Sequence, residues 1–186
     1  MEFPEHPFWD FALRVYGSEG VSAACLELQE RHGIDVNVLL FCLWLGESGR
    51  GVLEVKELKE ALAAAEDWNG RVVKGLRAVR RALKDGFARA PAALRDGLRA
   101  GIQAVEIDAE HLEQLMIAAA VERRATRAEA PRDARAEDAA RNAGRYLADK
   151  GITLEPRDAV NFAHILGRTF PGLGPERALD LAERLM

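Results

Sequence analysis

The chain has 186 residues, 48% of them apolar and 30% charged, with a net charge of −4. That balance excludes collagen-like and intrinsically disordered chains, and at this length folding buries about 70% of the unfolded surface without staples. A negative total also argues against nucleic acid as the partner, since such proteins present a basic surface.

No run approaches the ~20 apolar residues that cross a bilayer. The first residues, Met1 to Pro7, lack the basic and apolar regions of a signal peptide. Cys25 and Cys42 lie in apolar helical runs, so reduced core thiols are expected. A cytoplasmic protein is the resulting expectation. Charge is segregated along the chain: residues 1–67 hold five Lys and Arg against thirteen Asp and Glu, and residues 68–101 hold nine against two. Such blocks either form interaction surfaces or neutralise one another within the fold.

Ala, Leu, Glu and Arg dominate, which favours helix. Pro7 opens a first helix, Phe8 to Tyr16, closed by Gly17. Val21, Ala24, Cys25 and Leu28 mark a second, with Gly33 as its left-handed cap. Asp35 then caps Val36 to Leu45, apolar on every side and therefore the expected centre of the fold. Asn37 is its one strongly polar member, a candidate buried polar residue that needs a hydrogen-bond partner. Gly46 to Gly51 reads as a turn, and a short amphipathic helix follows from Glu54 to Glu66.

Asp67 is expected to cap a new helix, Trp68 to Asp85, with Val72, Leu76, Val79 and Leu83 along one face. Pro91 opens a longer helix whose seam is Ile102, Val105, Ala109, Leu112, Met116 and Ala119. Joined through Gly86–Ala90, the two form an antiparallel hairpin, which Gly97 and Gly101 weaken unless close contact needs them. From Arg123 to Arg141 the apolar pattern dissolves into Ala, Arg and Glu. Later helices start at Pro156 and Pro175. The expected organisation is a helical core domain over 1–123, a linker or exposed helix over 124–141, and a small helical appendage over 142–186. The fold class is all-α: a compact helical bundle around a buried central helix, with the hairpin and the appendage attached.

Phe8-Trp9 with Phe11 and Tyr16, Cys25-Leu26, Leu28-Gln29, the run from Asp35-Val36-Asn37 to Trp44, then Trp68, Leu76-Arg77 and Arg80 stand in an order that carries a resemblance. Over its first 120 or so residues the chain resembles a family of small bacterial proteins classed as a domain of unknown function. Gly75 stands where that family is expected to favour proline before Leu-Arg. The resemblance implies a helical fold, names no catalytic residue, and stops near Arg123.

No C-x-x-C, H-E-x-x-H, P-loop or strand-bound G-x-G-x-x-G is present, so no metal or cofactor is expected. Glu106, Asp108, Glu110 and His111 cluster on one helix, but a di-iron site needs a second Glu-x-x-His helix, so a solvated acidic flank is expected. His164 shares a polar face with Arg157, Asn161 and Arg168, read as wet surface. Ser18 and Ser48 lack the strand-to-helix context of a nucleophile elbow, leaving no catalytic set.

The most informative feature is the basic stripe Lys74, Arg77, Arg81 and Lys84, with Arg80 beside it. At 100° per residue it lies away from the Val72–Leu83 face. The hairpin's own acids, Glu106, Glu110 and Glu113, are therefore expected not to reach it, and any internal partner should come from the acidic N-terminal block. These five cations are the candidate interaction or anion-binding residues. Three functions fit: a non-catalytic protein-interaction or regulatory module with an acidic protein partner, a small-molecule or anion-binding protein lined by Asn37, Arg77 and Arg80, and a nucleic-acid accessory protein. A defined pocket containing arginines would favour the second.

Overall fold

The structure is a computed structural model and describes residues 3–85, 87 and 89–186. In chain order come α1 (Pro7–Tyr16), α2 (Val21–His32), α3 (Val36–Glu47) and α4 (Val55–Trp68). A π-helical turn (Asn69–Val73) leads into α5 (Lys74–Asp85), and then follow α6 (Ala92–Ala120), α7 (Arg132–Asp149), α8 (Pro156–Thr169) and α9 (Pro175–Glu183). The fold is all-α, with no strand among the described residues. None of these helices is long and apolar enough to cross a membrane. Met1, Glu2 and, within the expected hairpin turn, Gly86 and Ala88 lie outside the described residues.

The apolar α3 is central, with every residue from Asn37 to Gly46 buried. Its start is set by Asp35, whose Oδ1 accepts from the Asn37 amide at 2.8 Å. The helix runs through Gly46, where a turn is expected from sequence. Phe8 of α1 packs its ring 5.3 Å from both Phe41 and Trp44, joining the first helix to the core. Cys25 and Cys42 are free and buried, and burial pushes each thiol up to about 12.

Gly46 explains what lies against α3. A Cβ there would fall 2.4 Å from the Ala139 backbone nitrogen, so the backbones of α3 and α7 approach closely at this point. Ala136, Ala139, Ala140 and Ala143 make the matching face of α7, all buried. Tyr146, one turn on and fully buried, accepts the Asp35 amide at 2.7 Å. Asn142 supplies the polar half of the contact. Its Oδ1 accepts from Leu53 N at 2.8 Å and its Nδ2 donates to Gly51 O at 3.0 Å, satisfying a turn that has no helix of its own.

Here the structure differs from the expected linker and appendage. Much of 124–141 lies in α7, and the buried core continues from α3 through Ala136–Leu147 to Phe162, Ile165 and Leu181. The sequence signal was weak because close helix approach requires small residues, which register poorly as an apolar stripe. The face of α8 read as wet surface keeps Arg157 and Arg168 exposed, with surface ion pairs to Glu27 and, at 3.5 Å, to Glu19, while His164 Nε2 meets Glu19 O at 2.8 Å.

No new cap forms at Asp67. The chain continues through the π-helical turn, in which the Lys74 amide donates to Asn69 O, five residues back. The turn's extra residue rotates α5. Val79 is then exposed, while Arg77 and Arg80 face α6. On α6 the buried positions include Glu106, Ala109, Glu113, Gln114 and Ile117, so the expected Ile102–Ala119 seam holds only at Ala109 among its fully buried members. Towards its start α6 leaves the core: Leu94 is 72% and Leu98 58% exposed, and a Cβ at Gly97 or Gly101 would meet nothing within 4 Å.

Candidate ligand-binding cavity

Where α1, α2, the start of α3, the π-helical turn, α5 and α6 converge they leave a cavity of about 290 Å³. Its apolar wall is Trp9, Ala12, Leu13 and Tyr16 of α1, Leu26 of α2, Val36 and Leu40 of α3, and Ile107 of α6. Gln29, Asp35, Asn37, Asn69, Arg77, Glu110 and Gln114 supply its polar part. An apolar hollow with a few convergent polar groups is the usual form of a small-molecule site.

The polar floor is a chain of side-chain bonds. Gln114 Nε2 donates to Asn37 Oδ1 at 2.8 Å, and Asn37 Nδ2 donates to Glu113 Oε2 at 2.8 Å. Asn69 Nδ2 donates to that same oxygen at 3.3 Å. The π-helical turn places Asn69 for this bond, as such turns often do for functional side chains. Glu113 is fully buried, and burial, with the nearby Asp35 carboxylate adding to it, pushes its carboxyl up to about 9. Two acceptors of this floor, Gln114 Oε1 and Glu113 Oε1, are buried with no hydrogen-bond partner among the described residues.

At the side of the cavity Arg77 is held by three partners. Its Nε donates to Glu106 at 3.1 Å, Nη1 to Gln29 at 3.0 Å and Nη2 to Glu110 at 2.7 Å. Arg80 also grips Glu106. Burial raises Glu106, but two guanidiniums outweigh it and hold the carboxyl below its usual range. Glu110 has Arg77 alone, so burial and the neighbouring Glu106 charge leave it raised. The hairpin acids thus do reach the arginines, against the helical-wheel expectation. The flank of Glu106 and Glu110 is an ion-pair network rather than a solvated surface, because the rotation of α5 turns Arg77 and Arg80 inward.

The remaining candidate cations lie elsewhere. Lys74 and Lys84 are exposed without an ion pair among the described residues, and Arg81 stands 3.9 Å from Glu30 with both side chains largely exposed. Lys74, Arg77 and Arg81 share a second, open groove that also contains Glu30. Arg80 does not line the cavity; Asn37 and Arg77 do. Sequence reasoning passed over Gln114, Asn69 and the lining role of Trp9 and Gln29. Their signal was present only as polar residues at positions the fold buries. His111, buried as well, stacks on Trp9 at 3.9 Å and 3° between planes, and burial keeps its ring below its ordinary value.

A family model described as Protein of unknown function (DUF2390) matches residues 7–117. The chain belongs to this family. Every residue lining the cavity falls inside the DUF2390 span, whereas α7, α8 and α9 lie outside it. Trp9, Tyr16, Leu26, Gln29 and Arg77, among the residues that carried the resemblance, all face the cavity. No curated protein and no solved structure matches the chain.

Proposed function

We propose that this DUF2390 protein is a small-molecule-binding helical protein whose ligand occupies the cavity beneath α1. The observation that carries the reading is Gln114: 4% exposed, lining the cavity, with a buried Oε1 that has no partner. A buried acceptor left unmade costs about 1–3 kcal/mol, a cost that a ligand donor removes. Titration of the ¹⁵N-labelled protein with a library of small ring compounds tests it. Binders should move the side-chain amide signals of Asn37, Asn69 and Gln114 and the Trp9 indole signal. Leu26→Trp, which fills the mouth, should abolish those shifts. A library that perturbs only surface signals overturns the reading.

A second reading rests on the hairpin. Leu94 and Leu98 stand exposed on α6, which also carries Arg99, while Lys84 stands exposed near the end of α5. Exposed leucines on a hairpin that carries cations suit an acidic protein partner, with charge setting approach and the leucines supplying contact. Reversing Lys84 and Arg99 to Glu should then slow association with that partner and leave the cavity titration unchanged.

A further inference from the structure

We infer that the occupant of the cavity is a small organic cation, an amine or amidine carried on an apolar or aromatic body. This rests on the binding reading above and deepens it.

Hydrogen-bond direction is the first argument. The floor spends its donors on itself: Gln114 Nε2 goes to Asn37, and the NH₂ groups of Asn37 and Asn69 both go to Glu113. What is left over is Gln114 Oε1, an acceptor, and Oε1 of Glu113, whose carboxyl burial keeps protonated. Of the two, the Gln114 oxygen is the one that calls for a ligand N–H.

Charge is the second. The lining holds two carboxylates, Asp35 and Glu110, against one guanidinium. That guanidinium is already matched, since Arg77 donates to Glu106 and Glu110 at once. Glu110 is matched by Arg77 in turn. An anion entering here would therefore meet an Asp35 carboxylate without an ion pair among the described residues, an unpaired amide oxygen and an arginine that has its counter-charges. A cation meets the same groups as attraction.

The walls fix the rest of the molecule. Trp9 and Tyr16 line it with aromatic side chains, which suit cations as well as apolar groups. Leu13, Leu26, Leu40 and Ile107 complete a hollow for a body of one ring or a short branched chain. The volume, about 290 Å³, sits at the small end of ligand sites.

Three probes with one body and different heads test this on the full chain at pH 7: phenethylamine, 2-phenylethanol and 3-phenylpropionate. Binding is followed by the side-chain amides of Asn37, Asn69 and Gln114. Phenethylamine should bind roughly tenfold tighter than either of the others, the margin expected of a charge-assisted bond over a neutral one. Gln114→Leu should erase most of that margin and spare the alcohol. Should that variant fail to fold, Glu110→Gln, at a partly exposed position, should narrow the amine-to-alcohol ratio instead. If the alcohol or the acid matches the amine at these amides, or if the ratio is unchanged in Glu110→Gln, the cation assignment is overturned while the cavity reading stands. If none of the three moves these amides, both are overturned.

Discussion

Arg77 and Glu106 are joined across the α5–α6 hairpin by a 3.1 Å hydrogen bond, with 18% and 6% of their side chains exposed. The pair is not isolated, because Glu110 shares Arg77 and Arg80 shares Glu106. Removing Arg77 would therefore strand charge in a mostly buried place. Arg77→Ala should cost about 3 kcal/mol, the usual result of breaking a buried pair from one side. Arg81→Ala, on an exposed side chain 3.9 Å from Glu30, should cost about 0–1 kcal/mol. Urea midpoints of the two variants make the comparison. Equal values would mean that the arginines form one solvated stripe after all.

Glu113 gives stability a pH dependence of unusual sign. Its carboxyl is pushed up to about 9 by burial first and by Asp35 second. The folded chain therefore holds a proton that the unfolded chain releases near pH 4, and stability from this group falls as pH rises between the two values. Glu113→Gln keeps an acceptor for Asn37 and Asn69 and removes the titration. The variant should match wild type near pH 4 and gain on it by roughly 1 kcal/mol for each pH unit above that, up to about pH 9. Parallel stability curves across that range would show that Glu113 titrates normally.

Asp158 works in the opposite direction. Its buried carboxylate meets Arg31 Nη1 and His32 Nε2, each at 2.9 Å, and accepts the Glu155 amide at 3.0 Å. Burial alone would raise its pKa; the Glu155 amide, His32 and Arg31 outweigh it and hold the group below the ordinary range. Its contribution is complete above about pH 4 and disappears as pH falls through the folded value. Asp158→Asn should lose about 3 kcal/mol at pH 7 and show a flatter acid limb than wild type. Denaturant titrations from pH 7 to pH 3 would read both effects.

Removing residues 124–186 tests where the folding unit ends. Without α7 the chain loses Tyr146, Asn142 and the alanine face against α3, leaving the most apolar helix of the protein open to water. The 1–123 fragment should therefore lose its cooperative melting and its near-ultraviolet circular dichroism. A sharp transition in that fragment would show that the family span folds alone.

Much of the fold was legible in the sequence. Uniform apolarity marked α3 as central, and Asp35, Gly33 and Pro7 marked helix ends, because caps depend on local chemistry. Asn37 was legible as buried for the same reason: one amide in an apolar helix must be bonded. The cavity was harder to see. Its floor uses Glu113 and Gln114 of α6, and an apolar seam drawn along that helix points elsewhere because the positions facing the core are polar. Arg77 was singled out as a cation, but its inward direction depends on the rotation of α5, which no periodicity within α5 records. For α7 the obstacle was size, since alanine carries too little apolar area to declare a buried face.

The π-helical turn at Asn69–Val73 also acts as a phase setting between two halves of the molecule. One residue more than an α-helix needs is stored there, and α5 inherits its rotation from that surplus. Deleting a single residue in the turn would restore an ordinary helix and turn α5 by about 100°. Ala78 would then stand where Arg77 stands, and Glu106 and Glu110 would lose their common partner. The composition would scarcely change and every other helix could keep its place. Length variation at this one point is thus a route by which a chain of this family could keep its core and exchange the chemistry of its cavity.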